Sequence, residues 1–416
     1  MKSFDVIVVG GGFAGCAAAL AAARTGCSVL LVEKSNALGG AANNCLVNPY
    51  MNYRTSIEGK TVDLSAGLFR EINSRLRQLH GFLPGTDVFS EELLKLTLNR
   101  MMEEAGVELL FHSLLIGCRK TGERLHAVEL SGKAGCFTLE ARRFVDATGD
   151  ADLAVLAGCP THLGRDSDHL CQPMTLCFRV GGVNEKLWQE QRAAANALYQ
   201  KRREEGRLRN VREDILVFPT TAPGVLHFNS TRVVRRNPTD PFDLTRAEIE
   251  AREQVYELFS LLKENFSAFA NSTLLSTAAE IGVRESRMID GAYRLSGKDL
   301  IACRHFADAI ALGNYDIDIH NPEGSGTSHY YFKQGEYYTI PYRCLLPKNA
   351  DNLLAAGRCI SVDHEAQASI RIMPIVCCIG EAAGAAAGLS VRNDCLPAQL
   401  DAALLRQHLL EHGAAL

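Results

Sequence analysis

Short apolar runs alternate along this chain with stretches of helical character. Phe4 to Val9 (FDVIVV) predicts a buried strand, and Ser28 to Val32 (SVLLV) predicts a second one. Between them, Cys16 to Ala23 is almost entirely alanine and predicts a buried helix, which Gly26 ends. A strand, a helix and a strand in this order indicate a parallel sheet covered by helices, so we expect an α/β fold.

Two further blocks continue this pattern. Glu91 to Ala105 has helical periodicity after Ser90, a suitable N-cap, and Gly106 ends it. The β-rich runs that follow predict a strand and a small antiparallel meander, at Val107 to Phe111, Leu125 to Leu130 and Cys136 to Leu139. Arg143 to Asp150 brings an apolar strand against a glycine turn and predicts a return to the parallel sheet.

The pattern changes between about Cys159 and Cys344. Long charged helices are expected at Asn184 to Arg207 and at Leu244 to Phe266, and Thr245 to Glu248 has the spacing of a capping box for the second. We interpret this block as an inserted α+β substrate or cap domain. The predicted boundaries are residues 1–158 with 346–416 for a discontinuous nucleotide-binding domain, and 159–345 for the inserted one.

The C-terminal part repeats the sequence pattern of the N-terminal strand, glycine turn and helix. Asn352 to Arg358 predicts a strand that runs into a glycine, and Ile375 to Leu389 predicts an alanine-rich helix that begins near Pro374. Its glycines recur every four residues on one face, at positions 380, 384 and 388. Small residues in this spacing permit close packing, so we expect the helix to lie near a sheet or a cofactor.

A glycine motif after the first strand is the strongest local signal. Gly10 to Gly15 fits G-x-G-x-x-G, with Gly10 for the tight turn, Gly12 for close approach of a pyrophosphate and Gly15 for helix packing. Glu33, at the end of the second strand, is placed to accept hydrogen bonds from a ribose. NAD and FAD share this fingerprint, and the early second glycine turn at Gly39-Gly40 favours FAD.

Composition and charge exclude several classes of protein. The 416 residues are 47% hydrophobic and 22% charged, as in globular proteins of two or three domains. A net charge of −4 gives no basic field, so no nucleic acid is expected as a partner. The 14 cysteines form no C-x-x-C pair and no zinc-spaced cluster, so we expect reduced thiols, a cytoplasmic location and no metal. No signal peptide and no membrane segment are expected.

Several motifs in one order resemble the FAD-dependent oxidoreductase family of glutathione-reductase-like flavoproteins, in a little-characterised, mainly bacterial branch. The resemblance covers nearly the whole chain. Besides the two glycine motifs, it rests on Val145 to Asp152, Gln172 to Thr175, Gly282 to Arg287, Ile340 to Arg343, Asn352 to Ser361 and Ser369 to Pro374. It implies a Rossmann-like FAD-binding domain with a non-covalent cofactor.

The resemblance also implies where FAD would lie. Gly10, Gly12 and Gly15 would contact the pyrophosphate, and Glu33 the adenosine ribose. The helix near Pro374 would direct its first N–H groups at the flavin, where its dipole favours the anionic reduced form. The other expected contacts are Phe13, Ala14, Lys34, Gly39, Gly40, Ala147, Thr148, Gly149, Gly357, Arg358 and Ile372.

Five residues are candidates for the chemistry of a flavin dehydrogenase, which needs a base for the departing proton and often a cation for an anionic group. The candidate cations are Arg284, Arg343 and Arg371, and the candidate acid–base groups are Tyr342 and His364. A structural histidine at position 364 and an ion pair of Arg284 with a neighbouring acid such as Glu285 are the alternatives.

A group of acids and histidines between positions 316 and 329 matches no metal-binding motif and is expected in a surface loop; it comprises Asp316, Asp318, His320 and His329.

The expected function is hydride transfer between bound FAD and a small organic substrate, as a dehydrogenase, an oxidase or a reductase of an activated double bond. Two alternatives stay open. One is a flavin monooxygenase that uses NAD(P)H and oxygen, and the other is a non-catalytic, electron-carrying flavoprotein subunit. No redox C-x-x-C follows the first glycine turn, which disfavours disulfide-reductase chemistry. A homo-oligomer or an electron-accepting partner also stays open.

Overall fold

A computed structural model describes residues 2–416. Within this range the helices are α1 (Phe13–Arg24), α2 (Ala41–Asn44), α3 (Leu68–Gln78), α4 (Glu91–Glu104), α5 (Asp152–Leu156), α6 (Glu185–Glu204), α7 (Pro241–Asn265), α8 (Gly297–Ile301), α9 (His364–Ile370), α10 (Met373–Arg392) and α11 (Ala402–Glu411). Short 3-10 helices span Ser267–Phe269, Tyr342–Leu345 and Pro397–Gln399.

The strands are numbered in chain order. They are β1 (Ser3–Val9), β2 (Val29–Val32), β3 (Arg54–Ile57), β4 (Lys60–Asp63), β5 (Glu108–Leu110), β6 (Leu114–Thr121), β7 (Arg124–Gly132), β8 (Gly135–Asp146), β9 (Thr161–Leu163), β10 (Phe178–Gly181), β11 (Val217–Pro219), β12 (Leu226–Phe228), β13 (Thr273–Thr277), β14 (Arg287–Ile289), β15 (Ala309–Gly313), β16 (Ile317–His320), β17 (Thr327–Tyr330), β18 (Tyr338–Pro341) and β19 (Leu353–Ala355).

A mainly parallel sheet forms the centre of the fold, as the α/β prediction requires. Its order is β5-β2-β1-β8, with β19 parallel to β8 and the β6-β7 hairpin antiparallel to the first half of β8. The central strands are buried on both faces, which explains their unbroken apolar runs. The carboxyl ends of β1, β2 and β8 lie together, and the glycine turns follow them.

Two details of the strand prediction are wrong. The runs expected as separate strands at 136–139 and 143–145 form one strand, β8, whose first half pairs with β7 and whose second half pairs with β1. No glycine or proline interrupts the chain between Leu139 and Val145, so nothing ends the strand there. The meander also contains β6, which the hydrophobic pattern did not predict.

The predicted helices are present, and one correction concerns the residues that cap the start of α7. Ser90 caps α4 and Asn184 caps α6, each through its side chain. The expected capping box at Thr245 is wrong, because Thr245 lies inside α7 and its hydroxyl donates to the Pro241 carbonyl at 2.7 Å. Asp240 is the N-cap, with Pro241 in the first turn, and this Asp-Pro pair outweighs the capping-box spacing.

Two hydrophobic cores are present. One core contains the central sheet with α1 and α10, and it extends over β14 to β18. The other draws on positions 174–283 and packs α6 and α7 against the antiparallel sheet of β10 to β13. We call the part of the chain built on this second core the cap. The domain boundaries at 159 and 345 stay a prediction.

Helix α10 lies directly against helix α1. A Cβ added at Gly380 would come within 2.0 Å of the Ala14 carbonyl oxygen, and one at Gly384 within 1.9 Å of that of Ala18. The expected neighbour of this face, a sheet or a cofactor, is therefore corrected to a second helix. Within residues 2–416, α10 is also the one helix long and apolar enough to cross a membrane, and it is 94% buried inside the fold.

Gly384→Ala should destabilise the protein by about 3 kcal/mol or more, because the methyl group forces two packed backbones apart. Urea unfolding of the purified protein measures this. Gly324→Ala is the matched control, since no atom lies within 4 Å of its added Cβ, and its effect should stay within about 0.5 kcal/mol. A Gly384→Ala protein with unchanged unfolding would contradict the contact.

Glu381 is a buried carboxyl group on α10. It is 4% exposed, and its Oε2 accepts from the Leu68 N–H at 3.0 Å, at the start of α3. Burial raises its pKa to about 7, against the lowering effect of the Leu68 N–H. A carboxyl group whose pKa is raised by folding stabilises the fold while it is protonated, so this stability is lost as the pH rises.

The unfolding free energy should therefore fall between about pH 4.5 and pH 8, by roughly 3 kcal/mol from this group alone. Glu381→Gln keeps an acceptor for the Leu68 N–H and has no charge, so its unfolding free energy should lack this component. Urea unfolding of both proteins at pH 5 and pH 8 gives the difference. An equal pH dependence in the two proteins would exclude Glu381 as its source.

Candidate active site

The three glycines of the fingerprint have distinct surroundings. A Cβ at Gly10 would lie 2.4 Å from the Ala147 carbonyl oxygen, and one at Gly15 would lie 1.7 Å from the Gly10 carbonyl oxygen. Gly10 also has a φ of 100°, which disfavours other residues. At Gly12 the nearest atom is 3.9 Å away. Gly10 and Gly15 are therefore required by packing, whereas Gly12 faces open space.

That open space is a cavity of about 480 Å³ along the first turn of α1, which we call the glycine groove. Helix α1 begins at its edge without a side-chain cap, so its first N–H groups are free for a phosphate. The predicted cofactor contacts that line the groove are Gly10, Gly12, Phe13, Ala14, Glu33, Lys34, Gly39, Gly40, Ala147, Thr148, Gly149, Gly357 and Arg358. Ile372 and Pro374 lie at the start of α10.

Glu33 is held by backbone groups at the end of β2. Its Oε2 accepts from the Gly11 N–H at 2.6 Å, and its Oε1 accepts from the Ser35 N–H at 2.8 Å. Its side chain lines the groove, and its hydrogen bond to Gly11 also stabilises the glycine loop. Each carboxylate oxygen has a second lone pair, so these bonds leave acceptor capacity for a ribose hydroxyl.

The cap covers the groove and is joined to its walls by an ion pair and a hydrogen bond. Lys34, on the groove edge, pairs with Glu280 of the cap at 3.3 Å. Arg358 donates to the Gly149 carbonyl, to the Val283 carbonyl and to Asp150, at 2.8, 2.8 and 2.5 Å. Burial acts to lower the pKa of Arg358, but the Asp150 carboxylate raises it, so the guanidinium stays charged.

A second cavity of about 300 Å³, the side cavity, adjoins the glycine groove. Five residues line both spaces: Ala41, Val283, Arg358, Arg371 and Met373. Met373 is the first residue of α10, so the start of this helix lies where the two cavities meet. The two cavities are therefore neighbours that share these side chains.

Four arginines line the side cavity: Arg212, Arg284, Arg358 and Arg371. Burial, followed by the charges of Arg371 and Arg212, lowers the pKa of Arg284 to about 9. One guanidinium nitrogen of Arg284 donates to the Pro173 carbonyl and to the Thr175 hydroxyl, at 2.7 and 2.6 Å. The Nε of Arg371 is buried without a partner. Clustered cations with a free donor are suited to an organic anion.

Asp318 and His320 also line the side cavity, and the expected surface loop is wrong for them. They are 6% and 8% exposed, on strand β16. The sequence Asp316-Ile317-Asp318-Ile319-His320 alternates polar and apolar residues, and this period of two places all three polar side chains on one strand face. This alternation is the sequence signal that indicates a strand here.

Two of the three predicted cations, Arg284 and Arg371, lie together in this cavity. The alternative for Arg284 is wrong, because Glu285 instead accepts from the Gln172 N–H and binds His364. His364 lines neither cavity; its Nδ1 lies 2.7 Å from the buried Glu285 carboxylate, as a structural histidine would.

The structure also places Tyr342 and Arg343 outside both cavities. The Tyr342 hydroxyl donates to the Pro397 carbonyl at 2.9 Å, and Arg343 pairs with Asp308 at 2.9 Å. Their motif ends β18 and starts a short 3-10 helix, so it shapes the fold beside the site. A catalytic role for either residue has no geometric support here.

Comparison with known proteins gives one match along most of the chain. A family model described as FAD dependent oxidoreductase matches residues 5–409. Two solved structures are similar in overall fold. They are a geranylgeranyl bacteriochlorophyll reductase-like protein from Thermoplasma acidophilum (12% identity, TM-score 0.47, 99% of this chain and 82% of that chain) and a p-nitrophenol 4-monooxygenase from Pseudomonas putida (12%, 0.48, 99% and 84%).

Curated relatives match shorter segments. A tRNA uridine 5-carboxymethylaminomethyl modification enzyme from Geobacter metallireducens is 42% identical over 84 residues, 18% of this chain and 13% of that enzyme. An NADH:fumarate oxidoreductase from Klebsiella pneumoniae is 35% identical over 94 residues, 23% of this chain and 8% of that enzyme. A vinyl phenol reductase from Lactiplantibacillus plantarum is 58% identical over 41 residues, 10% and 8%. The chain thus spans a small part of these relatives' length.

Gly12→Asp should abolish flavin retention while the protein still folds. The new side chain meets no protein atom closer than 3.9 Å, measured from its Cβ, but it places a carboxylate where the pyrophosphate would lie. The absorbance ratio at 450 and 280 nm after gel filtration measures retention, and far-UV circular dichroism checks the fold. Gly12→Ala is the uncharged control and should keep more flavin. Stoichiometric flavin in Gly12→Asp would remove Gly12 from the site.

Proposed function

Because the chain belongs to the FAD-dependent oxidoreductase family, we propose that it transfers a hydride between bound FAD and a small organic anion held in the side cavity. The observation that carries this proposal is the shared wall of the two cavities. A substrate beside the flavin end of the groove would be within contact distance of the cofactor, as hydride transfer requires.

The proposed FAD contacts are mainly backbone groups. Gly12 and the first N–H groups of α1 would hold the pyrophosphate, and Glu33 would accept from the ribose. When bound, the isoalloxazine ring supplies the two-electron acceptor and donor. Met373, at the start of α10, would present the positive end of the helix to that ring. The α10 dipole thereby favours negative charge at the junction of the two cavities.

The charge of the side cavity supports an anionic substrate. Arg371 lines both spaces and has an unpartnered Nε, so it would orient a carboxylate at the junction. Arg284 and Arg212 would add charge from the cap side. An anion would also relieve the mutual repulsion that lowers the pKa of Arg284. The remaining lining is partly apolar, with Val47, Met51, Leu216 and Phe218, which suits a carbon skeleton.

Two further properties are proposed on indirect support. A cytoplasmic location agrees with the 14 free cysteines, of which Cys377 and Cys378 lie side by side on α10 without being joined. A small molecule is the proposed partner of the site.

The monooxygenase and electron-carrier alternatives differ from the proposal in what reduces the flavin, so one spectroscopic experiment separates all three.

In that experiment the purified protein is mixed anaerobically with hydroxy acids, amino acids, sugars, NADH and NADPH, and the dithionite-reduced protein is mixed with oxo acids and unsaturated acids. The proposal expects the flavin absorbance to change with at least one organic acid. A response to NAD(P)H alone would favour a monooxygenase. No response to any of them, together with co-purification of a redox partner, would favour the electron carrier.

Arg284→Met should weaken the binding of the reactive acid, and of oxalate as an unreactive dianion, by about 10- to 100-fold, which corresponds to a lost charge-assisted hydrogen bond. Flavin retention should not change, because Arg284 lines the side cavity and not the groove. Titrations followed by flavin absorbance measure the dissociation constant. Arg284→Lys keeps the charge, so its affinity for these acids should lie between the affinities of the unchanged protein and of Arg284→Met. Equal affinity in all three proteins would place the anion elsewhere.

A further inference from the structure

We propose that His329, oriented by Asp316, transfers the proton that accompanies hydride transfer, between its Nε2 and a hydroxyl or carbonyl oxygen of the bound organic anion. This inference rests on the proposed function, and it identifies the substrate as an anion that carries an oxygen on the reacting carbon. Neither residue was among the expected catalytic groups.

The hairpin of β16 and β17 positions these side chains. Asp318 on β16 pairs with His329 on β17 in register, so their side chains project on the same face. Asp316 precedes Asp318 by two residues and shares that face. Both Asp318 and His329 line the side cavity, and the His329 ring stacks on Tyr331 at 5.2 Å between ring centres. The imidazole is therefore held in one orientation at the cavity wall.

The contact with Asp316 fixes where the proton of the neutral ring lies. Nδ1 of His329 is 2.6 Å from Oδ2 of Asp316. A carboxylate accepts hydrogen bonds, so Nδ1 carries the hydrogen and Nε2 keeps its lone pair. Nε2 lies 3.7 Å from Oδ1 of Asp318, and both side chains line the side cavity. General acid–base catalysis uses this arrangement, in which a carboxylate binds one nitrogen of a histidine and the other nitrogen exchanges a proton with the substrate.

The neighbouring groups are less suited to move this proton. Arg232 donates to Nδ1 of His320 at 3.0 Å, so the hydrogen of the neutral His320 ring lies on Nε2. This Nε2 is 3.2 Å from a carboxylate oxygen of Asp318. Burial, and then the charge of Arg284, lowers the pKa of His320 well below its usual value. Burial alone would raise the pKa of Asp318, but His320 and Arg371 hold it far below the usual range. Neither group therefore exchanges a proton readily near neutral pH.

Charged groups of both signs lie near His329. Asp316 and Asp318 are its acidic neighbours, and Arg371 is a basic one that pairs with Asp318 at 3.3 Å. The His329 side chain is 33% exposed, so it can exchange its proton with water after each turnover. This combination of an imidazole that lines the cavity and access to solvent is what a recycling proton carrier needs.

The step balances in either direction. In oxidation the C–H bond breaks and the hydrogen leaves with both electrons to FAD, while the O–H bond breaks and its proton moves to Nε2 of His329. A C=O bond forms, so the anion loses two electrons and FAD gains them. His329 then releases the proton to water. In the reverse direction the protonated ring donates to the forming hydroxyl.

The first test reads the tautomer and needs no substrate. Nitrogen-15 NMR of histidine-labelled, FAD-loaded protein should show the His329 hydrogen on Nδ1, identified by its absence from the spectrum of His329→Gln. In Asp316→Asn the hydrogen should no longer be confined to Nδ1. A hydrogen on Nε2 in the unchanged protein would overturn the proposal, whatever the activity.

The second test uses the hydroxy acid that reduces the flavin. His329→Gln should slow flavin reduction in stopped-flow by about 10²- to 10⁴-fold, with the dissociation constant of oxalate little changed. Asp316→Asn should move the acidic limb of the pH–rate profile to lower pH, since the protonated ring loses a stabilising carboxylate. His126→Gln, an exposed histidine on β7, is the control and should leave both quantities unchanged.

The outcomes separate the inference from the proposed function. Normal reduction rates in His329→Gln would overturn the inference and leave the function intact. If no organic acid of either panel changes the flavin spectrum, the function fails, while the NMR result still decides how His329 is oriented. One tightly bound metal ion per chain, lost together with activity in His329→Gln, would also overturn a role in proton transfer.

Discussion

The contact between helices α1 and α10 is the constraint on which the site depends. Gly380 faces Ala14 and Gly384 faces Ala18, so the helices run parallel, with backbone against backbone. Met373 starts α10 seven residues before Gly380, whereas α1 starts one residue before Ala14. The start of α10 therefore projects about 9 Å beyond that of α1, at 1.5 Å per residue. Two positive helix ends are thus staggered along the groove, and in the proposed binding mode one would meet the pyrophosphate and the other the flavin.

The cap adds charged side chains to this backbone scaffold, and buried polar contacts fix its position. Arg358 joins the Gly149 turn to the Val283 carbonyl, and Arg179 of the cap pairs with the buried Glu91 of α4. A buried charge that loses its partner is costly, so each contact resists separation of the two cores. The side cavity lies across this junction, and its shape follows from the way the cap is seated.

Much of the cofactor half was predictable from the sequence, because each of its signals is local. The fingerprint, Glu33 and the Asn352 to Arg358 strand all lie within a few residues of the backbone they position. The side cavity was harder, since residues about a hundred positions apart, such as Arg212 and Asp318, meet there only through tertiary packing. His364 shows the opposite error: it flanks the start of α10 in sequence, but its side chain points to Glu285.

In the proposed function, Asp318 would couple anion binding to proton transfer in the side cavity. One of its oxygens holds Arg371 and accepts from Tyr315 and His320, and the other faces His329. An anion that draws Arg371 toward itself would weaken that pair and leave more of the Asp318 charge directed at His329. The protonated ring is then better stabilised. Binding would thereby prepare His329 to receive a proton, so the cavity's specificity for anions and its acid–base chemistry arise from the same carboxylate.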